Sequence, residues 1–441
     1  MSVPWPRGLQ QRAAWGAVAF AAALAAGSHW LEQWRLSPPD RSASVTFRVT
    51  SSADGGPGSL RDAILVADRV QTRARITVAV RQIALQTGLP PLVNPFGVIL
   101  EAADGVEIDG TLVQGPVLDI ASPGTSVSGI QIVGGGAGVV VRAPGATFRN
   151  VTVRRSDTGI LIGEGSDAVH ISESAFDSNR IGIQLAAPTG EVSLQRVRFR
   201  DHRLAAVWAV SAAATAHPPS IQIADSRFLR DFAGLVAINV AARVERNRFD
   251  DAQTTAVHAS GGRAFIEGNQ MQAGKGFGIY AEHLESGQIS GNEIARNCSS
   301  GILLRDAGNT RVISNEVYQN AYGIVMMEGP SISPNLVADN LIADQVGDGL
   351  TLIGASPIVS RNQVLRNRQA GLRLSSLTLE SGRTRTPSPL LEDNVVRDNG
   401  SDETERDQYQ SGAGGDQAPA SDCGWRTGTP SFAPVRASQQ P

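Results

Sequence analysis

Short segments ending in an apolar residue recur along the chain at a constant phase. Ile130-Gln131-Ile132, Val151-Thr152-Val153, Ser174-Ala175-Phe176, Val197-Arg198-Phe199, Ser226-Arg227-Phe228 and Asn247-Arg248-Phe249 open the series. It continues through Asn269-Gln270-Met271, Asn292-Glu293-Ile294, Asn315-Glu316-Val317, Asn340-Leu341-Ile342, Asn362-Gln363-Val364 and Asn394-Val395-Val396. The last residues are spaced 21, 23, 23, 29, 21, 22, 23, 23, 25, 22 and 32 apart. A second register follows after a polar turn, for example Gly159-Ile160-Leu161, Gly182-Ile183-Gln184, Ala256-Val257-His258, Gly278-Ile279-Tyr280 and Gly301-Ile302-Leu303. Each segment is too short to bury a face alone, so successive repeats must stack on one another. No helical period runs inside the unit, which excludes leucine-rich and ankyrin repeats, and the unit is too short for a propeller blade. The pattern predicts two strands per repeat in an all-β solenoid, a parallel β-helix of about thirteen rungs.

Two Asn columns accompany the strands. Asn247, Asn269, Asn292, Asn315, Asn340, Asn362 and Asn394 are expected to stack as a ladder whose amides bond to the rungs above and below. Asn179, Asn297, Asn320, Asn367 and Asn399 recur five residues later, where a sharp corner calls for the left-handed conformation that Asn tolerates. Both columns read as structural.

Ahead of the repeats, Ser59-Leu60-Arg61-Asp62-Ala63-Ile64 follows a Gly-rich stretch. Ser59 suits an N-cap, and Leu60, Ala63, Ile64 and Ala67 share one helical face that would cover the first rung. The repeats and this segment resemble the right-handed parallel β-helices of the pectin-lyase-like superfamily over roughly residues 45–400, cap included. That resemblance implies the fold. Its functional implication spans polysaccharide lyases, hydrolases, mannuronan epimerases, tailspikes, adhesins and non-catalytic periplasmic proteins.

The flanks differ from the repeats. Arg7 and Arg12 precede an apolar stretch from Ala13 to Gly27, extendable to Leu31, with Trp15 and Trp30 at its ends. Residues 1–40 therefore read as a cleaved signal peptide or an uncleaved membrane anchor over 13–31. Either one places the domain at 41–400 in the periplasm or outside the cell. Residues 401–441 lack apolar periodicity and read as a disordered tail. Segments 212–219 and 376–389 read as loops leaving the solenoid.

Composition narrows the function. The net charge of −3 gives no support to nucleic-acid binding. Two cysteines, Cys298 and Cys423, exclude a disulfide scaffold and a cysteine-based zinc cluster. No bridge between them is expected, because the second lies in the tail.

The position two after the Gly or Ala of the second register should point outward. That column runs Leu161, Gln184, Trp208, Val236, His258, Tyr280, Leu303, Val325, Thr351 and Arg373. Trp208 and Tyr280 suit sugar stacking, and His258 and Tyr280 can move protons. The polar turns add Asp177, Asp201-His202-Arg203, Arg230-Asp231 and Asp250-Asp251, with Arg227 and Arg248 alongside. Arg forks suit carboxylates. Candidate proton-transfer residues are His202, His258 and Asp201. Candidate substrate contacts are Trp208, Tyr280, Arg203, Arg227, Arg248, Asp231 and Asp251.

Asp201-His202-Arg203 is similar in part to the site of mannuronan C5-epimerases, without the full Asp-Pro-His-Asp pattern. Asp250-Asp251 resembles the paired aspartates of polygalacturonases, whose other motifs are absent. Calcium enters only by analogy with pectate lyases, through Asp177, Asp201 and Asp231; otherwise no cofactor is expected. The expected ligand is an acidic polysaccharide, bound and in one reading processed by lyase or epimerase chemistry. The rival is a non-catalytic adhesin or assembly factor.

Overall fold

The computed structural model describes residues 44–186, 190–212, 219–327, 335–379, 381–402 and 404–410. The N-terminal segment 1–40, the loop 213–218 and the tail beyond 410 lie outside the described residues. The chain forms a parallel β-solenoid of about 12 turns. Ser59 caps the helix Leu60–Ala67 by accepting from the Asp62 N–H at 3.2 Å. The expected face of Leu60, Ala63, Ile64 and Ala67 is buried against the first rung.

A typical rung has three strands rather than the two expected. One rung runs Ala241–Glu245, Arg248–Asp250 and Thr255–Ser260, which define a first, second and third face. The first two faces join in a 27-stranded sheet and the third forms a 14-stranded sheet. The unexpected strand is the first, and it carries its own alternation: Ala242 and Val244 point in, Arg243 and Glu245 out. Inside, Phe176, Phe199, Phe228 and Phe249 stack with centroids 5.4, 4.7 and 4.3 Å apart.

The first Asn column is a ladder. Asn292 donates from its backbone N–H and from Nδ2 to Asn315 Oδ1, at 3.0 and 2.9 Å, and Asn315 does the same to Asn340. The second column is also a ladder, in which Asn297 donates to Asn320 and Asn367 to Asn399. The left-handed corner residue is therefore not the Asn. It is the residue before, as at Arg246 (φ 53°), Asp201 (φ 58°) and Arg296 (φ 58°), which leaves the Asn amide free to turn inward.

Strand pairing continues past residue 400. Glu405–Gln410 pairs parallel with Leu372–Thr378 and adds a further strand to the third face. Within the expected loop 376–389, Thr384–Arg385 folds back antiparallel on Leu377 and Thr378.

Candidate functional site

Strand pairing puts the outward third-face residues in one column. Gln184 pairs with Trp208, Trp208 with Val236, Val236 with His258, His258 with Tyr280 and Tyr280 with Leu303. Trp208 and Tyr280 are three rung steps apart, roughly 14 Å. Trp208 packs half-buried against a small outer cluster of Ala205, Ala233 and Val236. The His258 and Tyr280 rings stack on each other at 4.8 Å and 13°, so each turns a ring face to its neighbour.

One carboxylate ties these rings together. Glu282 accepts the Tyr280 hydroxyl at 2.5 Å and lies 3.2 Å from His258 Nε2. Burial raises the Glu282 carboxyl, but hydrogen bonds from Tyr280 and His258 outweigh it and hold the group below its ordinary range. Burial, reinforced by the adjacent Glu282 charge, pushes the Tyr280 phenol up to about 12, with Arg305 pulling the other way. His283 lies 3.9 Å from Glu282 and 3.7 Å from Asp306. Sequence reasoning missed Glu282, Arg305, His283 and Asp306. Glu282 was findable, since it stands two residues after Tyr280 and so on the same side of the strand. Arg305 occupies the next rung in register with Glu282.

The remaining candidates separate into three places. Arg203 is exposed at the corner that opens onto Trp208's strand. Arg227 and Arg248 stack on the second face and both reach Asp250, at 3.4 and 2.7 Å. Burial raises Asp250, but Arg248, Gln272 and Arg227 hold it below the usual carboxylate range. Asp201 sits at a corner in a two-pronged pair with Arg230, and Asp251 occupies the equivalent corner with φ 57°. Much of the positive charge expected to meet a ligand is thus met by carboxylates of the protein.

His202 and Asp231, expected on the solvated turn, are instead inside. They occupy the second ladder, each 2% exposed. Asp231 Oδ1 accepts from the His202 backbone N–H at 3.0 Å and lies 2.6 Å from His202 Nδ1. The physical reason is the corner geometry: Asp201 and Arg230 take the left-handed conformation, which swings the following residue into the core. A Cβ on Gly182 would lie 2.8 Å from His202 Nε2 and 2.5 Å from the Ala206 carbonyl, so only glycine fits beneath the ring. The three aspartates considered for calcium, Asp177, Asp201 and Asp231, lie on a face, at a corner and in the core respectively. No cluster of three or more His, Cys, Asp or Glu suited to a metal occurs among the described residues.

Residues 208–357 match the family model described as right handed beta helix region. Among solved structures, the chain is similar to the periplasmic alginate epimerase AlgG at 15% identity, covering 73% of this chain and 77% of that one, with a TM-score of 0.35. It is similar to the A-module of Azotobacter vinelandii mannuronan C-5 epimerase AlgE6 at 9% identity, over 83% and 99% of the two chains, TM-score 0.43. The Dettilon tailspike protein gives 10% identity over 83% and 68%, TM-score 0.42. At these identities the likeness is one of fold alone. No curated protein matches the sequence. Three-strand rungs, inward Asn ladders and the match over residues 208–357 converge on one fold, a parallel β-helix of stacked repeats.

Proposed function

We propose that the third face from Trp208 to Arg305 binds an acidic polysaccharide and moves a proton on it, as lyases and epimerases do. The observation that carries this reading is that one partly exposed carboxylate, Glu282, engages both His258 and Tyr280. A carboxylate beside an imidazole orients it and stabilises the cation that forms when it accepts a proton. A phenol pushed up to about 12 stays protonated at neutral pH and serves as a donor. His258 is accordingly the base toward the proton beside a uronate carboxyl, and Tyr280 the acid. Arg305 and Arg203 suit the sugar carboxylates, while Trp208 supplies apolar contact.

The same reading places the protein outside the cytoplasm. Cys298 is disulfide-bonded, contrary to the expectation from sequence. Such bonds persist in oxidising compartments. No helix among the described residues is long and apolar enough to cross a membrane, and the N-terminal apolar stretch lies outside them.

The test is calorimetric titration with oligouronates and with neutral oligosaccharides. Ultraviolet absorbance of an unsaturated product and solvent-deuterium incorporation at C5, read by NMR, report chemistry. Binding confined to oligouronates, with either chemical signal lost in His258→Ala, supports the proposal. Uronate binding without either signal reduces it to a binding protein, and no binding overturns it.

A further inference from the structure

The two ends of the solenoid are finished differently. The helix Leu60–Ala67 closes the N-terminal end with its apolar face inward, and its outer face carries Leu65 and Val66, 45% and 38% exposed. The C-terminal end carries no such helix among the described residues, and a cavity of about 260 Å³ opens there between Leu372, Leu391 and Val396. Leu390 and Leu391 beside it are 53% and 44% exposed. Each end also leaves one strand of the first face with a free edge. Among the described residues, Ser44–Val49 pairs only with Arg73–Val78, and Leu390–Glu392 only with Ile358–Ser360.

We infer that the open C-terminal end is a docking surface for a second copy of this chain, which adds its strand Ser44–Val49 in parallel to the free edge of Leu390–Glu392. The outer face of the second copy's cap helix then lies over the open end. This inference goes beyond the third-face site and does not depend on it.

Register selects this pairing. Followed from strand to strand along the first face, the inward column that begins at Phe47 ends at Leu391. The neighbouring outward column begins at Arg48 and ends at Glu392. A second copy stacked in the same phase therefore sets Phe47 on Leu391 and Arg48 beside Glu392. Arg48 and Glu392 are both exposed. Arg69 is exposed at the same end as Arg48, and Asp393 stands exposed next to Glu392, so the junction joins opposite charges. A tail-to-tail pair would bring the acidic ends together, and a head-to-head pair the basic ones. Edge pairing supplies backbone hydrogen bonds to groups that otherwise stand open. A head-to-tail contact does not close on itself, so it generates a linear stack. Fourteen pairings link Ser44–Val49 to Leu390–Glu392, and one more step across the junction makes the axial repeat about 72 Å. Third faces recur along one side of such a stack, and Trp208 to Arg305 stays uncovered.

Sedimentation velocity of the full-length protein over a range of concentrations tests the inference, with electron micrographs of the same samples. The parent should form a concentration-dependent series extending beyond the dimer, with an axial repeat of about 72 Å. Arg48→Glu and Glu392→Arg should each weaken association several-fold, since like charges then face each other across the junction. Circular dichroism should be unchanged in both, because neither side chain is buried. An equimolar mixture of the two variants should recover association, because the reversed charge of each matches the unaltered end of the other. A photo-crosslinking benzoylphenylalanine at position 390 should capture residues 44–49 of another copy. A monomer at every concentration, a closed dimer, or association indifferent to both substitutions and to their mixing would overturn the stack, whatever the third face binds.

Discussion

Two histidine–carboxylate pairs occupy the same stretch of solenoid, one inside the wall and one outside. His202 and Asp231 sit in the interior ladder with side chains 0% and 2% exposed and ring nitrogen to oxygen 2.6 Å. His258 and Glu282 sit on the third face, 21% and 19% exposed and 3.2 Å apart. Residue chemistry is nearly the same; position in the rung decides the role. The interior pair replaces Asn amides in a ladder and cannot meet a ligand, whereas the exterior pair shares its carboxylate with a phenol and can.

The largest effect separates the pairs by stability. Asp231→Ala leaves a buried imidazole beside a void and should cost about 3–5 kcal/mol in chemical denaturation. Glu282→Gln, on the surface, should cost about 1 kcal/mol or less while reducing uronate binding or turnover. Equal destabilisation by the two variants would erase the distinction between wall and face.

Gly182→Ala tests why the interior histidine fits. The added methyl meets the Ala206 carbonyl at 2.5 Å and His202 Nε2 at 2.8 Å, so overpacking should cost about 1–3 kcal/mol. Asn292→Ala, in the first ladder, should lose a comparable 1–3 kcal/mol, roughly, by leaving neighbouring groups unpaired. Unchanged melting in both variants would show that ladder positions tolerate what the geometry forbids.

The repeat, the cap helix, the first ladder and the outward column were all legible in the sequence, because each depends on a residue type recurring at fixed phase. The third strand was overlooked although its signal is present: Val192 and Leu194, Ile221 and Ile223, and Ala242 and Val244 alternate just ahead of each corner. His202 and Asp231 were misplaced for a different reason. Each follows a polar left-handed corner residue, and polarity alone does not say which of two adjacent residues turns inward. In the second ladder the same position is Asn179 or Asn297 elsewhere, so alignment of that column identifies both as interior. Glu282 stands one column over from Tyr280 on the same strand, and a site on a solenoid face spans both columns. The disulfide at Cys298 had no local signal, since no other cysteine stands within the repeats.

On the third face, Trp208→Ala should weaken oligouronate binding by about 1 kcal/mol, several-fold in affinity, with circular dichroism unchanged. Arg227→Ala on the second face serves as the control. Its guanidinium is shared with Asp250, so binding should hardly change. A larger loss from Arg227→Ala than from Trp208→Ala would move the binding surface from the third face to the second.

The smallest effect is a pH dependence, and its sign follows from Glu282. This carboxyl is held below its ordinary value of 4.5 in the folded chain, because hydrogen bonds from Tyr280 and His258 outweigh burial. A group whose folded value is depressed stabilises the fold above its unfolded value and loses that contribution as pH falls through the folded one. Denaturation midpoints of the parent should therefore drop relative to Glu282→Gln as pH is taken from neutral to below about 4.5, and the two curves should converge in acid. Near neutrality the difference stays constant, since Glu282 is ionised there in both folded and unfolded chains. A gap that widened in acid would mean that the protonated carboxyl is the favoured form, and Glu282 would then not be the charge that orients His258.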